Sequence, residues 1–208
     1  MSSLKPLEAG AAQAPKRLRG RIRVAAIMDS AVQLFAEKGY DAATMTEIAA
    51  HSGTAIGSLY RFFPNKEALA DALLLRYAQH VLGGFAELAE QASAMTLDAL
   101  AGALVDFMLA LHSERSIAIA LADARGGSEQ QRAQMREATR EGVGKVLRQA
   151  ISGLPKAKSE VMAALLLHLL KAVPLALREK PAARSMQLAE IRELARLYLA
   201  AAKKSLKT

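Results

Sequence analysis

Apolar positions recur along most of the chain at helical spacing. Val24, Ile27, Ala31, Leu34 and Phe35 fall at i, i+3, i+7, i+10 and i+11, one face of a first helix. Gly39 supplies its stop. Thr44, with Glu47 three residues on, has the pattern of a capping box and opens a second helix. Ser52-Gly53 interrupts that helix, and a third covers roughly Ala55 to Phe62 before Pro64. Asn65 can cap a fourth, running from Lys66 towards Ala92 with a kink expected at Gly83-Gly84. Thr96 opens a helix to about Ser113, Ser116 one to about Ala124, and Ser128 one to about Ile151. The eighth runs from Ser159 to about Arg178, kinked at Pro174 or ended near Val173. The last runs from about Ser185 to Lys204. No run alternates β-branched and polar residues as a strand would. The expected class is all-α, with about nine helices.

Composition sharpens this picture. Of 208 residues, 52% are hydrophobic and only 4% aromatic. Alanine makes up about a fifth of the chain, and Leu, Glu, Arg, Lys and Gln fill much of the rest, all good helix formers. Cysteine is absent, so disulfide frameworks, thiolate metal sites and cysteine nucleophiles are excluded. Lys and Arg outnumber Asp and Glu by 28 to 20, a net charge of +8 that makes an anionic partner, nucleic acid first, plausible. The most apolar run, Val161 to Leu170, is ended by Lys171 and is too short to span a bilayer, which takes about 20 residues. No apolar segment follows the early basic residues as in a secretory signal, so the expected address is the cytoplasm, with no membrane partner.

Residues 1–15 mix Ser, Gly, Pro and Ala without a period. Lys16, Arg17, Arg19, Arg21 and Arg23 follow with no acid among them. Residues 1–20 are therefore expected to form a basic flexible arm, either solvated or lying along phosphates. Residues 21–65 hold three short helices separated by tight turns. The middle turn, Ser52-Gly53-Thr54, joins two helices of under ten residues anchored by Ile48, Ala49, Ile56 and Leu59. This is the arrangement of a helix-turn-helix, in which the second helix enters the major groove. Gly57 would let a backbone approach closely. Tyr60 and Arg61 could reach phosphates or bases from the far end of that helix. Phe35, Ile48, Leu59, Phe62 and Phe63 read as core, Tyr40 as interhelix packing, and Glu47 as a cap, since an acid repels phosphate.

The stretch from Ile27 to Leu69 resembles the DNA-binding domain of TetR/AcrR transcriptional regulators. The resemblance rests on Ala31, Leu34-Phe35, Lys38-Gly39-Tyr40, Thr44, Ile48-Ala49, Gly53, Gly57, Leu59-Tyr60, Phe63, Lys66 and Leu69, in order and at the family's spacing. It covers about the first third of the chain. It implies a homodimer on a palindromic operator in double-stranded DNA, usually a repressor released by a small-molecule effector. Carried over by position, Thr44 opens the helix where a backbone N–H meets phosphate. Thr54, Ala55, Ile56 and Gly57 start the recognition helix. Tyr60 and Lys66 contact phosphate, and Arg61 occupies a variable position. The sequence departs from the family at residues 52–54, Ser-Gly-Thr where Ala-Gly-Val is commoner, so Thr54 could cap the recognition helix and its hydroxyl could reach phosphate or base. The resemblance also raises the basic arm as a minor-groove element.

Residues 66–208 are expected to form a helical ligand-binding and dimerisation domain. His51, His80, His112 and His168 lack metal-ligand spacing, and no HExxH, phosphate-binding glycine loop or GxSxG is present, so no enzyme, cofactor or metal is expected. Phe107, Met108 and His112 are the candidate ligand-pocket residues, with plain helix packing as the alternative. The last two helices carry Val161, Leu165, Leu166, Leu169 and Leu170, then Leu188, Ile191, Leu194, Leu197 and Tyr198. By family analogy they form a dimer interface, for which Leu165, Leu169, Leu194 and Tyr198 are the candidates. An activator or global regulator without a small ligand, and a helical adaptor that keeps the motif as scaffold, are the other readings.

Overall fold

The computed structural model describes residues 18–126 and 129–206. Ten α-helices and one short 3-10 turn are present there: α1 Leu18–Lys38, α2 Met45–His51, α3 Ile56–Phe62, α4 Lys66–Gln91, the 3-10 turn Ala92–Ala94, α5 Leu97–Ala110, α6 His112–Ala124, α7 Glu129–Ala150, α8 Lys156–Leu170, α9 Ala172–Ala176 and α10 Pro181–Lys204. Among the described residues there is no strand.

Each predicted helix is found, and several are bounded as the sequence indicates. Asn65 Oδ1 accepts the Ala68 N–H at 2.8 Å, and Thr96 Oγ1 accepts the Ala99 N–H at 3.1 Å, capping α4 and α5. The predicted eighth helix is broken in two at Lys171, three residues before Pro174, which lies inside α9. It also starts earlier than predicted. Pro155 takes the N-cap position, and Ser159, expected as the start, is fully buried inside α8. Its hydroxyl donates to the Lys156 carbonyl at 2.7 Å and accepts from Arg148 Nη1 at 2.8 Å. Likewise Pro181 opens α10 at its first position, where a missing N–H costs nothing. Ser128 lies outside the described residues.

α4 runs unbroken through Gly83-Gly84. Gly84 serves close approach: a Cβ there would collide with the Phe107 ring of α5. Phe107 in turn meets Phe85 edge-on, ring centroids 5.0 Å apart.

The chain folds into two compact units. Among the described residues one comprises 18–79 and 113–126, the other 80–112 and 129–206. The expected boundary between residues 65 and 66 therefore falls inside the first unit, which takes half of α4 and nearly all of α6. The first unit's core joins Ile27, Ala31, Leu34 and Phe35 of α1, Ile48 of α2, Leu59 of α3 and Leu69 of α4. Ile117 and Leu121 of α6, distant in sequence, complete it. The second unit buries Phe85, Leu100, Leu104, Leu147, Leu166, Leu170 and Leu199. The segment 156–176 is 21 residues long and contains an 18-residue window of mean hydropathy 1.5, long and apolar enough to cross a membrane by length and composition alone. The break at Lys171 divides them, and Met162, Ala163, Leu166, Leu170, Val173 and Ala176 are buried.

Candidate nucleic-acid interface

α2 is fastened at its start. Thr44 is extended, and its hydroxyl accepts the Glu47 N–H at 3.2 Å. Glu47 Oε2 accepts the Thr44 N–H at 3.0 Å and its hydroxyl at 2.9 Å, closing the capping box. The other carboxylate oxygen accepts from Lys38 Nζ at 2.6 Å. The Lys38 ammonium, then the two Thr44 donors, hold the Glu47 carboxyl down to about 2. Met45, Ile48 and Ala49 bury the inner face of this seven-residue helix.

The turn that follows depends on Gly53, whose φ of +62° disfavours any side chain. The Thr54 N–H donates to the Ala49 carbonyl at 2.9 Å. Thr54 does not cap the recognition helix: Ala55 holds the cap position, without a side-chain hydrogen bond, and Thr54 is buried at 8% exposure. α3 is thus bare at its start. Leu59 and Phe62 bury one side. Ala55, Ile56, Gly57, Tyr60 and Arg61 are exposed. A Cβ on Gly57 would meet nothing within 4 Å, so its small size serves no contact inside the chain and leaves room for another molecule's backbone. Arg61 lies 5.1 Å from the Phe62 ring centroid, which leaves its N–H groups available.

Lys66 has a different occupation from the one the resemblance implies. Its ammonium donates to the carbonyls of Tyr40, Asp41 and Ala43 at 2.8, 3.0 and 3.1 Å, and stands 4.6 Å from the Tyr40 ring centroid. An ammonium has three N–H groups, and all three are committed to the α1–α2 connection. Tyr40 also meets Phe35 edge-on at 5.4 Å, and burial raises its hydroxyl pKa.

The basic run splits. Lys16 and Arg17 lie outside the described residues, but Leu18 to Arg23, expected in part as a flexible arm, belong to α1. Arg19, Arg21 and Arg23 are exposed. With Arg61, they form no ion pair among the described residues. Other cations of the same unit are neutralised: Arg76 by Asp29 at 2.8 Å, Arg125 by Asp71 at 2.6 Å. Arg19, Ile22, Arg23 and Ala26 line one wall of an open groove of about 330 Å³, and Ser52, Gly53 and Thr54 line the other. Sequence reasoning missed this groove. The spacing 19, 22, 23, 26 is one helical face and could have shown half of it.

In the second unit, Phe107 and Met108 of α5 and His112 at the start of α6 are half-buried, with the Phe107 ring packed on Gly84 and Phe85. On α8 and α10 the apolar residues divide. Leu166, Leu170 and Ile191 are buried within the chain, and Leu169, Leu188 and Tyr198 are half-buried. Val161, Leu165, Leu194 and Leu197 stand out at 61, 52, 51 and 48% exposure.

A fastened helix, a glycine turn and a second helix bare on its outer side make α1–α3 a helix-turn-helix domain. Residues 27–73 match the family model described as bacterial regulatory proteins, tetR family. The chain is 34% identical over 93 residues, 44% of its length, to the HTH-type transcriptional repressor KstR2 of Rhodococcus jostii (strain RHA1). That alignment spans 46% of the relative, so the chain spans less than half the length of the curated relative it matches. Solved structures align over more of the chain. A TetR-family transcriptional regulator from Streptomyces coelicolor aligns with a TM-score of 0.56 at 26% identity, over 86% of this chain and 98% of that one. A SmeT–triclosan complex aligns with a TM-score of 0.59 at 18% identity, over 86% and 90%. Residues 27–73 thus carry a tetR-family DNA-binding domain, and over most of its length the chain is similar in fold to solved TetR-family regulators.

Proposed function

We propose that the chain is a homodimeric, sequence-specific DNA-binding regulator, a repressor that a small-molecule effector releases from a two-fold symmetric operator. The observation that carries the reading is the segregation of charge. In the DNA-binding unit Arg19, Arg21, Arg23 and Arg61 are exposed without an acid, Arg19 and Arg23 across a groove from the α2–α3 turn and Arg61 on α3 itself, whereas Lys38, Arg76 and Arg125 are paired. Unneutralised guanidinium groups beside an exposed short helix suit a phosphate backbone flanking a major groove. Ala55, Ile56, Gly57, Tyr60 and Arg61 are the proposed groove and phosphate contacts. Thr44 and Thr54 are left as positioning groups at the two ends of the helix-turn-helix. Lys66 is left out because its donors are committed. The name of the Rhodococcus relative supports repression, and the SmeT neighbour, solved with triclosan, supports a small-molecule effector.

Dimerisation is proposed through Leu165 and Leu194, flanked by Val161, Leu197, Leu169 and Tyr198, because two helices that expose leucines beside a buried face can meet their twins in a four-helix bundle. Phe107, Met108 and His112 remain the proposed effector contacts. The test is selection of duplexes from a random library at stated salt. A two-fold symmetric enriched site is the expected result. Binding without any enriched site, lost at moderate salt, overturns the reading in favour of non-specific electrostatics.

A further inference from the structure

α3 is less fastened than its neighbour α2. It has seven residues, no side-chain N-cap bond, and two buried anchors on one side. Leu59 and Phe62 bury one side of it, and the buried Thr54 and Phe63 hold its two ends, so the rotation of its outer side rests on few contacts. Among the described residues, α3 makes one side-chain hydrogen bond, Arg23 Nη1 to Ser58 Oγ at 3.3 Å, reaching across 35 residues from α1. Ser58 is half-buried beside the exposed reading face, so this bond acts where a roll would begin. The same Arg23 guanidinium lines the groove opposite Ser52-Gly53-Thr54, together with Arg19. A guanidinium carries five N–H donors in a fixed fork, and Ser58 takes one.

We infer that Arg23 is a positioning residue for operator recognition. It holds a backbone phosphate in the groove between α1 and the α2–α3 turn, with Arg19 beside it. Through Ser58 it ties that phosphate to the orientation of α3. Discrimination between base sequences then depends on a residue that touches no base. The inference rests on the proposed DNA-binding function. It goes beyond that reading by assigning part of the specificity to α1.

The experiment compares two duplexes: the one that the wild-type chain enriches from a random library, and a scrambled duplex of equal length. Affinity for both is measured across a salt series. Ser58→Ala removes the tether and no charge. It is expected to reduce the ratio of affinities about tenfold while the salt slope on the scrambled duplex stays unchanged. Arg23→Lys keeps the charge and loses the fork, so it gives the same fall in ratio with the same slope. Ser58→Thr keeps the hydroxyl and retains the wild-type ratio to within about twofold. Thermal melting establishes that each variant is folded before the ratio is read, and Arg23→Lys carries the test if Ser58→Ala melts early. The inference is overturned if Ser58→Ala keeps the wild-type ratio, or if both substitutions weaken the two duplexes equally. Absence of any enriched duplex for the wild-type chain removes the DNA-binding reading itself and this inference with it.

Discussion

α2 and α3 are both seven residues long and adjacent, yet they are held in opposite ways. α2 has a complete capping box, a lysine on its carboxylate and three buried residues. α3 has no capping side chain, two buried residues and one hydrogen bond from outside. The polar chemistry of α2 is satisfied within the chain, and that of α3 is left open. A helix that fixes position gains from internal bonds. A helix that reads another molecule must keep its donors uncommitted, at a cost in its own stability. Lys66 and Arg61 repeat the contrast, one cation bound to three carbonyls and the other exposed.

The contrast can be broken in order of size. Leu59→Ala removes the only fully buried anchor of α3 and should cost about 3 kcal/mol in chemical denaturation. A cost near zero would mean that α3 is held by something other than its core side. Tyr60→Ala with Arg61→Ala should leave stability unchanged to within about 0.5 kcal/mol. The same pair should weaken operator binding on the order of a hundredfold and lower the salt slope by about 2 for a dimer, one counterion per Arg61. A fall in melting temperature instead of affinity would place those side chains in the core. Lys66→Met should do the reverse, costing about 2 kcal/mol of stability and leaving the salt slope as it was. A lowered slope would return Lys66 to the phosphate set. Thr44→Ala should cost about 1 kcal/mol, the ordinary worth of an N-cap. No comparable loss is expected from Thr54→Ala, because Thr54 caps nothing.

The smallest effect is a pH dependence. The Glu47 carboxyl lies at about 2 in the folded chain, against an ordinary 4.5. A depressed folded value means stability that is present above the ordinary value and lost as the pH falls from there towards 2. The difference in melting temperature between the wild-type chain and Glu47→Gln should therefore be constant at neutral pH and shrink through that window. A difference that persists at pH 2 would show that Lys38 and Thr44 do not act through the charge.

Much of this was legible in the residue order. Short-range rules found the nine helices, the capping box at Thr44 and Glu47, the caps at Asn65 and Thr96, and the turn at Gly53, because each depends on residues within four positions of one another. The order and spacing of apolar and glycine residues from Ile27 to Leu69 carried the family. Local rules failed at Thr54 and Ser159, where a hydroxyl at a plausible helix start was instead buried. At Gly84 they did not foresee the close approach of the Phe107 ring.

The sequence by itself determined the helices, their caps and the kind of domain, since backbone bonds and apolar periodicity are set by near neighbours. The tertiary structure alone decided that Ile117 and Leu121 complete a core begun by Ile27, and that Lys66 bonds the carbonyls of Tyr40, Asp41 and Ala43. It alone decided that Arg23 reaches Ser58 and that Leu165 and Leu194 are exposed while Leu166 and Leu170 are not. Those outcomes join residues from one to several helices apart. Which long side chain finds a partner and which is left bare depends on how the helices roll against one another, and no local pattern encodes that.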